Sequence, residues 1–139
     1  MSEVNVPEVE LEPGKFIANI TLGEDNFAEV YDTIYPNSRL VNFNARDLVN
    51  DRESLDVKIT GGDGIFPDII RVCCEGMDLL SLMGSRFCIE QAEGVIFRGP
   101  KSEDVDKSKV FQFLINMGLK LEKVILESEI DADYYFSKN

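Results

Sequence analysis

The alternation of apolar and polar residues changes period several times along this chain, and each change predicts an element. Residues 1–14 set Val4, Val6, Val9 and Leu11 against Glu3, Glu8, Glu10 and Glu12, are broken by Pro7 and close on Pro13-Gly14. That reads as an extended acidic arm or edge strand ahead of a globular core at 15–139. Phe16 to Leu22 alternates cleanly and predicts a strand. Phe27, Val30, Tyr31 and Ile34 then fall three and four apart, the face of a helix over Asp25–Tyr35 that Pro36 stops.

From Arg39 the period returns to two. Leu40–Phe43 and Leu55–Ile59 are strand expectations, separated by the polar stretch Asn44–Ser54, and Gly61-Gly62-Asp63-Gly64 is a turn. Ile69-Ile70-Arg71-Val72-Cys73-Cys74 is nearly continuous and β-branched, as in a strand buried on both faces at the centre of a sheet. Met77–Met83 predicts a short helix ended by Gly84, and Phe87–Glu90 and Val95–Arg98 predict strands flanking a turn.

The last third reads two ways. Val110–Ile115 is a strand by its aromatic and β-branched content and a helix by the spacing of Val110, Phe113, Leu114 and Met117; content favours the strand. Leu119–Leu126 is equally two-sided, and Ala132–Phe136 suits an edge strand or a docked tail. The pattern sums to one α+β domain, residues 1–139, with a mainly antiparallel sheet and two or three short helices.

Charge changes the picture more than composition does. The 139 residues carry 26 Asp plus Glu against 14 Lys plus Arg, a net charge of −12. Residues 1–35 hold eight acids and one base, 36–121 hold thirteen and eleven, and 122–139 hold five and two, so the excess lies in the end segments. Such a surface disfavours nucleic acid and anionic membrane and favours a basic protein partner. No apolar run spans a bilayer and the acidic start lacks the basic region of a secretory signal, so a cytoplasmic protein is expected. Cys73, Cys74 and Cys88 fit no disulfide or zinc spacing and read as reduced core thiols.

The chain has no histidine, which removes the common catalytic triads and most zinc sites. The glycine cluster at 61–64 resembles in letters the signature of diguanylate cyclases, but Gly64-Ile65-Phe66 follows where that signature places an acid and then Phe. It also lacks the following helix and Lys of a phosphate loop. Two carboxylate groups remain as partner-binding expectations. Glu24, Asp25, Glu29 and Asp32 would line the solvent side of the first helix. Glu127, Glu129, Asp131 and Asp133 would stand on one face of an extended segment, beside Tyr134 and Tyr135 as interface anchors. The row lacks the glycine-turned loop that wraps a cation, so neither metal nor cofactor is expected.

These features together predict an acidic cytoplasmic binding protein, not an enzyme, that neutralises a basic partner: an immunity protein or antitoxin-type inhibitor of a nuclease-like toxin. The alternatives are a small carboxylate-using enzyme or ligand-binding domain, with Cys88 or Tyr35 taking part, and an oligomeric adaptor whose N-terminal arm adds a strand to a neighbour.

Overall fold

The computed structural model describes residues 15–22, 38–46, 55–60 and 65–138. Within them the elements run β1 (Phe16–Thr21), β2 (Arg39–Asn44), α1 (Leu55–Thr60), β3 (Ile69–Cys73), α2 (Asp78–Gly84), α3 (Arg86–Gln91), β4 (Gly94–Pro100), α4 (Val105–Asn116), β5 (Lys120–Glu127) and β6 (Asp131–Ser137). The expected N-terminal arm at 1–14, the helix at Asp25–Tyr35 and the turn at Gly61–Gly64 lie outside the described residues.

The strands form one sheet in the order β2-β1-β3-β4-β6-β5. β1 pairs in parallel with both β2 and β3, and β3 pairs in parallel with β4. β6 lies antiparallel between β4 and β5. This α/β arrangement replaces the expected mainly antiparallel α+β domain. A parallel pair needs a long return connection, usually a helix, and α1 and then α2 with α3 occupy the returns from β2 to β3 and from β3 to β4. Among the described residues only β5 and β6 are joined by a tight turn, across Ser128, Glu129 and Ile130, and only that hairpin and its seam with β4 are antiparallel.

Three segments expected to be strands are helices. Leu55–Ile59 lies in α1, Phe87–Glu90 in α3, and Val110–Ile115 in α4. In α3 and at its C-cap the buried positions are Cys88, Ile89 and Ala92 with Phe87 and Glu90 exposed, which is helical spacing read over too short a window to separate from alternation. In α4 capping overrides β propensity. The Asp104 carboxylate accepts the Lys107 N–H at 3.0 Å at the N-terminus, and Gly118, at φ +93°, takes the left-handed conformation just past the end. The strands at 16–21, 39–44, 69–73 and 94–100 overlap the expected ones at 16–22, 40–43, 69–74 and 95–98, and β3 is interior as its apolar run requires. Ala132–Phe136 belongs to β6, which lies between β4 and β5 and is buried, not an edge.

One face of the sheet carries the larger core. Ala18, Ile20, Ile70, Val72, Val95, Phe97, Tyr134 and Phe136 pack there against Leu82, Cys88, Ile89, Val110 and Leu114 of α2, α3 and α4. Phe111 meets the rings of Tyr134 and Phe136 edge-on, at centroid distances of 5.1 and 5.0 Å. The opposite face holds Ile17, Ile69, Ile96, Ile125 and Tyr135, and among them a polar row in which Asn19, Arg71 and Asp133 are buried.

Pairing register builds that row. Asn42, Asn19 and Arg71 are direct neighbours across β2, β1 and β3, and Arg98 is opposite Asp133 across β4 and β6. Asn19 Nδ2 donates to Asn42 Oδ1 at 2.9 Å, and Arg71 Nη1 donates to Asn19 Oδ1 at 2.9 Å. Arg71 Nε reaches past β4 to Asp133 Oδ2 at 3.1 Å, while Arg98 Nη1 holds Asp133 Oδ1 at 2.7 Å. Arg71 and Asp133 are 2% and 0% exposed. A carboxylate this buried needs both cations, and each cation is left without its counter-charge if the carboxylate goes. We therefore expect Asp133→Ala to lower unfolding stability by about 3–5 kcal/mol, read by urea titration. A loss below about 1 kcal/mol would show that the row does not hold the sheet.

Candidate functional site

In an open α/β sheet, ligands settle outside the carboxyl ends of the parallel strands, at the point where the strand order reverses. Here the chain moves outward from β1 to β2 and then returns to the other side of β1 for β3, so the reversal lies between β1 and β3. Thr21-Leu22, Asn44 and Cys73-Cys74 end β1, β2 and β3 around that point. Asn44 is exposed, and its Oδ1 accepts the Arg46 N–H at 2.9 Å. One lone pair of that oxygen and both amide hydrogens remain for a ligand.

Beside this crevice, a cleft of about 330 Å³ opens over the ends of β3 and β4. Cys73, Glu75 and Asp78 line it from the β3 side, and Arg98 and Gly99 from β4. Asp104, Asp106 and Lys107 close it from the start of α4, with Asp131 of β6 opposite. A sharp turn makes this possible: Gly76, at φ +87°, reverses the chain directly after β3, and Asp78 Oδ1 then accepts the Cys74 N–H at 2.8 Å. The turn thus aims a carboxylate at the strand end from the first residue of α2.

The cations of the cleft are already held. Arg98 is paired with Asp133. Lys107 Nζ donates to the carbonyl oxygens of Lys101 and Ser102, both at 3.2 Å, and lies over the rings of Phe111 and Tyr134. Among the described residues, the carboxylates of Glu75, Asp106 and Asp131 carry no hydrogen bond or ion pair. Their effect is visible on Asp78. Burial pushes its carboxyl up to about 6; Glu75 and Asp106 push in the same direction, against the Cys74 N–H bond.

Cys74 is no nucleophile. It is fully buried, its thiol donates to the Ile20 carbonyl at 3.2 Å, and burial pushes it up to about 12. Cys88 lies in the core on α3. Cys73 is half-buried at the cleft.

The expected partner-binding residues are scattered by the fold. Glu24, Asp25, Glu29 and Asp32 lie outside the described residues, as does Tyr35. Glu127, Glu129, Asp131 and Asp133 do not share one extended segment: Glu127 ends β5, Glu129 is in the turn, and Asp131 and Asp133 start β6. Glu127 pairs with Lys101 at 3.3 Å, Glu129 is exposed, Asp131 lines the cleft, and Asp133 is wholly buried. Tyr134 and Tyr135 are buried on opposite faces of the sheet, and Tyr134 donates its hydroxyl to the Pro100 carbonyl at 3.0 Å.

The cleft acids Glu75, Asp78, Asp104 and Asp106 were missed by spacing. The signals were present: Gly76 directly behind a buried strand marks a turn at a carboxyl end, and Asp104 three residues before Lys107 is a helix-start pattern.

No protein-family model matches this chain, and no curated protein sequence matches it significantly. Solved structures do. Precorrin-6y C5,15-methyltransferase from Geobacter metallireducens GS-15 superposes with a TM-score of 0.57 at 13% identity, over 92% of this chain and 82% of that one. TrmK of M. capricolum, solved with its natural cofactor product S-adenosyl-homocysteine, gives a TM-score of 0.55 at 14% identity over 93% of this chain and 64% of its own. A release-factor-specific protein-(glutamine-N5) methyltransferase from Alicyclobacillus acidocaldarius gives 0.51 at 11% identity, over 93% and 83%. At these identities the likeness is one of fold. It overturns the expectation of a non-enzymatic immunity protein or antitoxin, because the fold found is the Rossmann-like one of methyltransferase enzymes. Among the described residues no helix is long and apolar enough to cross a membrane.

A carboxyl held up by burial makes stability depend on pH in a defined sense. With the folded value near 6 and the usual value at 3.8, ionised Asp78 is disfavoured in the fold. The neutral form's advantage is present at low pH and is lost as pH rises from about 4 through 6. Asp78→Asn keeps the acceptor for the Cys74 N–H and removes the charge. Its melting temperature relative to wild type is expected to rise across that window and to stay higher above pH 7. A difference that is flat with pH would contradict the placement of this carboxyl.

Proposed function

We propose that this chain is an S-adenosyl-methionine-dependent methyltransferase whose cofactor lies in the crevice between the ends of β1, β2 and β3. The single observation that carries the reading is the strand order, with its reversal between β1 and β3 and the cleft directly alongside. The likeness to three methyltransferase structures supports it.

The residues present fit this cofactor and not a dinucleotide. The dinucleotide fingerprint places three glycines after its first strand, where they make the turn, let a pyrophosphate approach the backbone and seat the helix. This chain reads Thr21-Leu22-Gly23-Glu24-Asp25-Asn26 there, with one glycine and two acids. The free lone pair and amide hydrogens of Asn44 suit ribose hydroxyls, which both donate and accept.

When bound, this group supplies an electrophilic methyl carried on a sulfonium. The chain's own contributions are positional and acid–base. Asp78, its carboxyl near 6, is ionised at neutral pH and close enough to that pH to take a proton from a methyl acceptor in the cleft. Arg71, Asp133 and Arg98 fix the strands that carry the cleft. Cys73, Cys74 and Cys88 form no disulfide among the described residues, which supports a reducing, cytoplasmic setting for the enzyme.

Isothermal titration with S-adenosyl-homocysteine tests the reading. We expect one site per chain, and Asn44→Ala, which removes one hydrogen-bonding side chain, should weaken binding about tenfold. Absence of binding at millimolar ligand would overturn the proposal.

A further inference from the structure

We infer that the methyl acceptor of this enzyme is an alkylammonium group, the protonated amine of a polyamine or of a lysine side chain, received by the carboxylates of the β3–β4 cleft. The inference rests on the methyltransferase reading and names the substrate class of the same site.

Three features of the cleft select that chemistry. Its two cations have prior contacts, Arg98 with Asp133, which Arg71 shares, and Lys107 with two carbonyl oxygens and two ring faces, and five carboxyl groups line the cleft against them. The carboxylates of Glu75, Asp106 and Asp131 have no such partners among the described residues, so the cavity presents uncompensated negative charge at the place where a substrate enters. Anionic acceptors, nucleic acid among them, are repelled by that field. A metal ion is a poor occupant, because among the described residues no three Asp, Glu or Cys side chains converge on one point. Spread carboxylates in a cavity of about 330 Å³ instead suit a slender organic cation.

An ammonium has no lone pair for attack, so its proton must leave first. The N–H proton passes to the Asp78 carboxylate, which becomes the neutral carboxyl, and the N–H electron pair stays on nitrogen as the nucleophile's lone pair. Asp78 is placed for this: it lines the cleft, and one of its oxygens is fixed by the Cys74 N–H while the other carries no bond among the described residues.

The test is a set of ¹⁵N–¹H spectra of the full chain at low ionic strength, titrated with spermidine and separately with Nα-acetyl-lysine amide, each with and without S-adenosyl-homocysteine. We expect the amides of Glu75, Gly76, Asp104 and Asp106 to shift with at least one amine. The Glu75→Gln/Asp106→Asn pair should weaken that binding about fivefold, while a control pair away from the cleft, Glu90→Gln/Glu122→Gln, leaves it within about twofold. A response to spermidine alone assigns the ammonium to a polyamine, and to the lysine amide alone to a protein side chain; either supports the inference. Silence of the cleft amides with both amines, or equal weakening by the control pair, overturns it. S-adenosyl-homocysteine binding without amine binding sinks this inference alone, and amine binding without S-adenosyl-homocysteine sinks the methyltransferase reading on which it rests.

Discussion

Asp133 is the residue on which the sheet's two halves meet. Its carboxylate sits on β6, in the antiparallel hairpin, yet it accepts from Arg71 on β3, a strand in the parallel half with which β6 makes no ladder. The guanidinium crosses over β4 at the level of Ile96 to make that bond. Backbone pairing alone would let the hairpin slide along β4; the pair fixes its register, because a slip of one residue would turn Asp133 to the other face. A buried ion pair is weak evidence for net stability, since desolvation offsets most of the attraction, but it is strong evidence for specificity of placement. Here the placement puts the start of β6 and the end of β4 together, and those ends are one wall of the cleft.

The rest of the site follows from strand direction. With β1 to β4 parallel, their carboxyl ends share one edge, and the connections leaving that edge carry the polar groups. Gly76 turns the chain sharply enough to place Asp78 back over its own strand, and the capped start of α4 brings Asp104 and Asp106 opposite. The negative field of the cleft is therefore a local product of two turns. Of the acidic end segments, 122–139 adds Asp131 to it.

The strands were legible because each holds a short alternating or apolar run: Phe16–Thr21, Arg39–Asn44, Ile69–Cys73 and Gly94–Pro100. Their direction was not, because a parallel sheet announces itself through helices in the returns, and α1 and α3 are six residues each, too short for their period to be told from two. α4 was legible in spacing and was misread through its Phe and Ile content, although Asp104 and Gly118 marked both ends. The carboxylate row at Glu127–Asp133 misled for a related reason: alternation continues through a tight turn in the sequence but not in space. Arg71 stood in the open as a lone charge inside an apolar strand, a residue that can be buried only against a carboxylate elsewhere in the chain. Its partner, Asp133, was read instead as surface.

The central claim is that the reversal of strand order between β1 and β3 forms an adenosyl-cofactor crevice. A crystal structure of the protein grown with S-adenosyl-homocysteine tests it most directly. The account predicts the ligand against Thr21, Leu22 and Asn44, with its sulfur towards the cleft at Cys73 and Asp78; an empty crevice at saturating ligand, or the ligand bound on another surface, would contradict it.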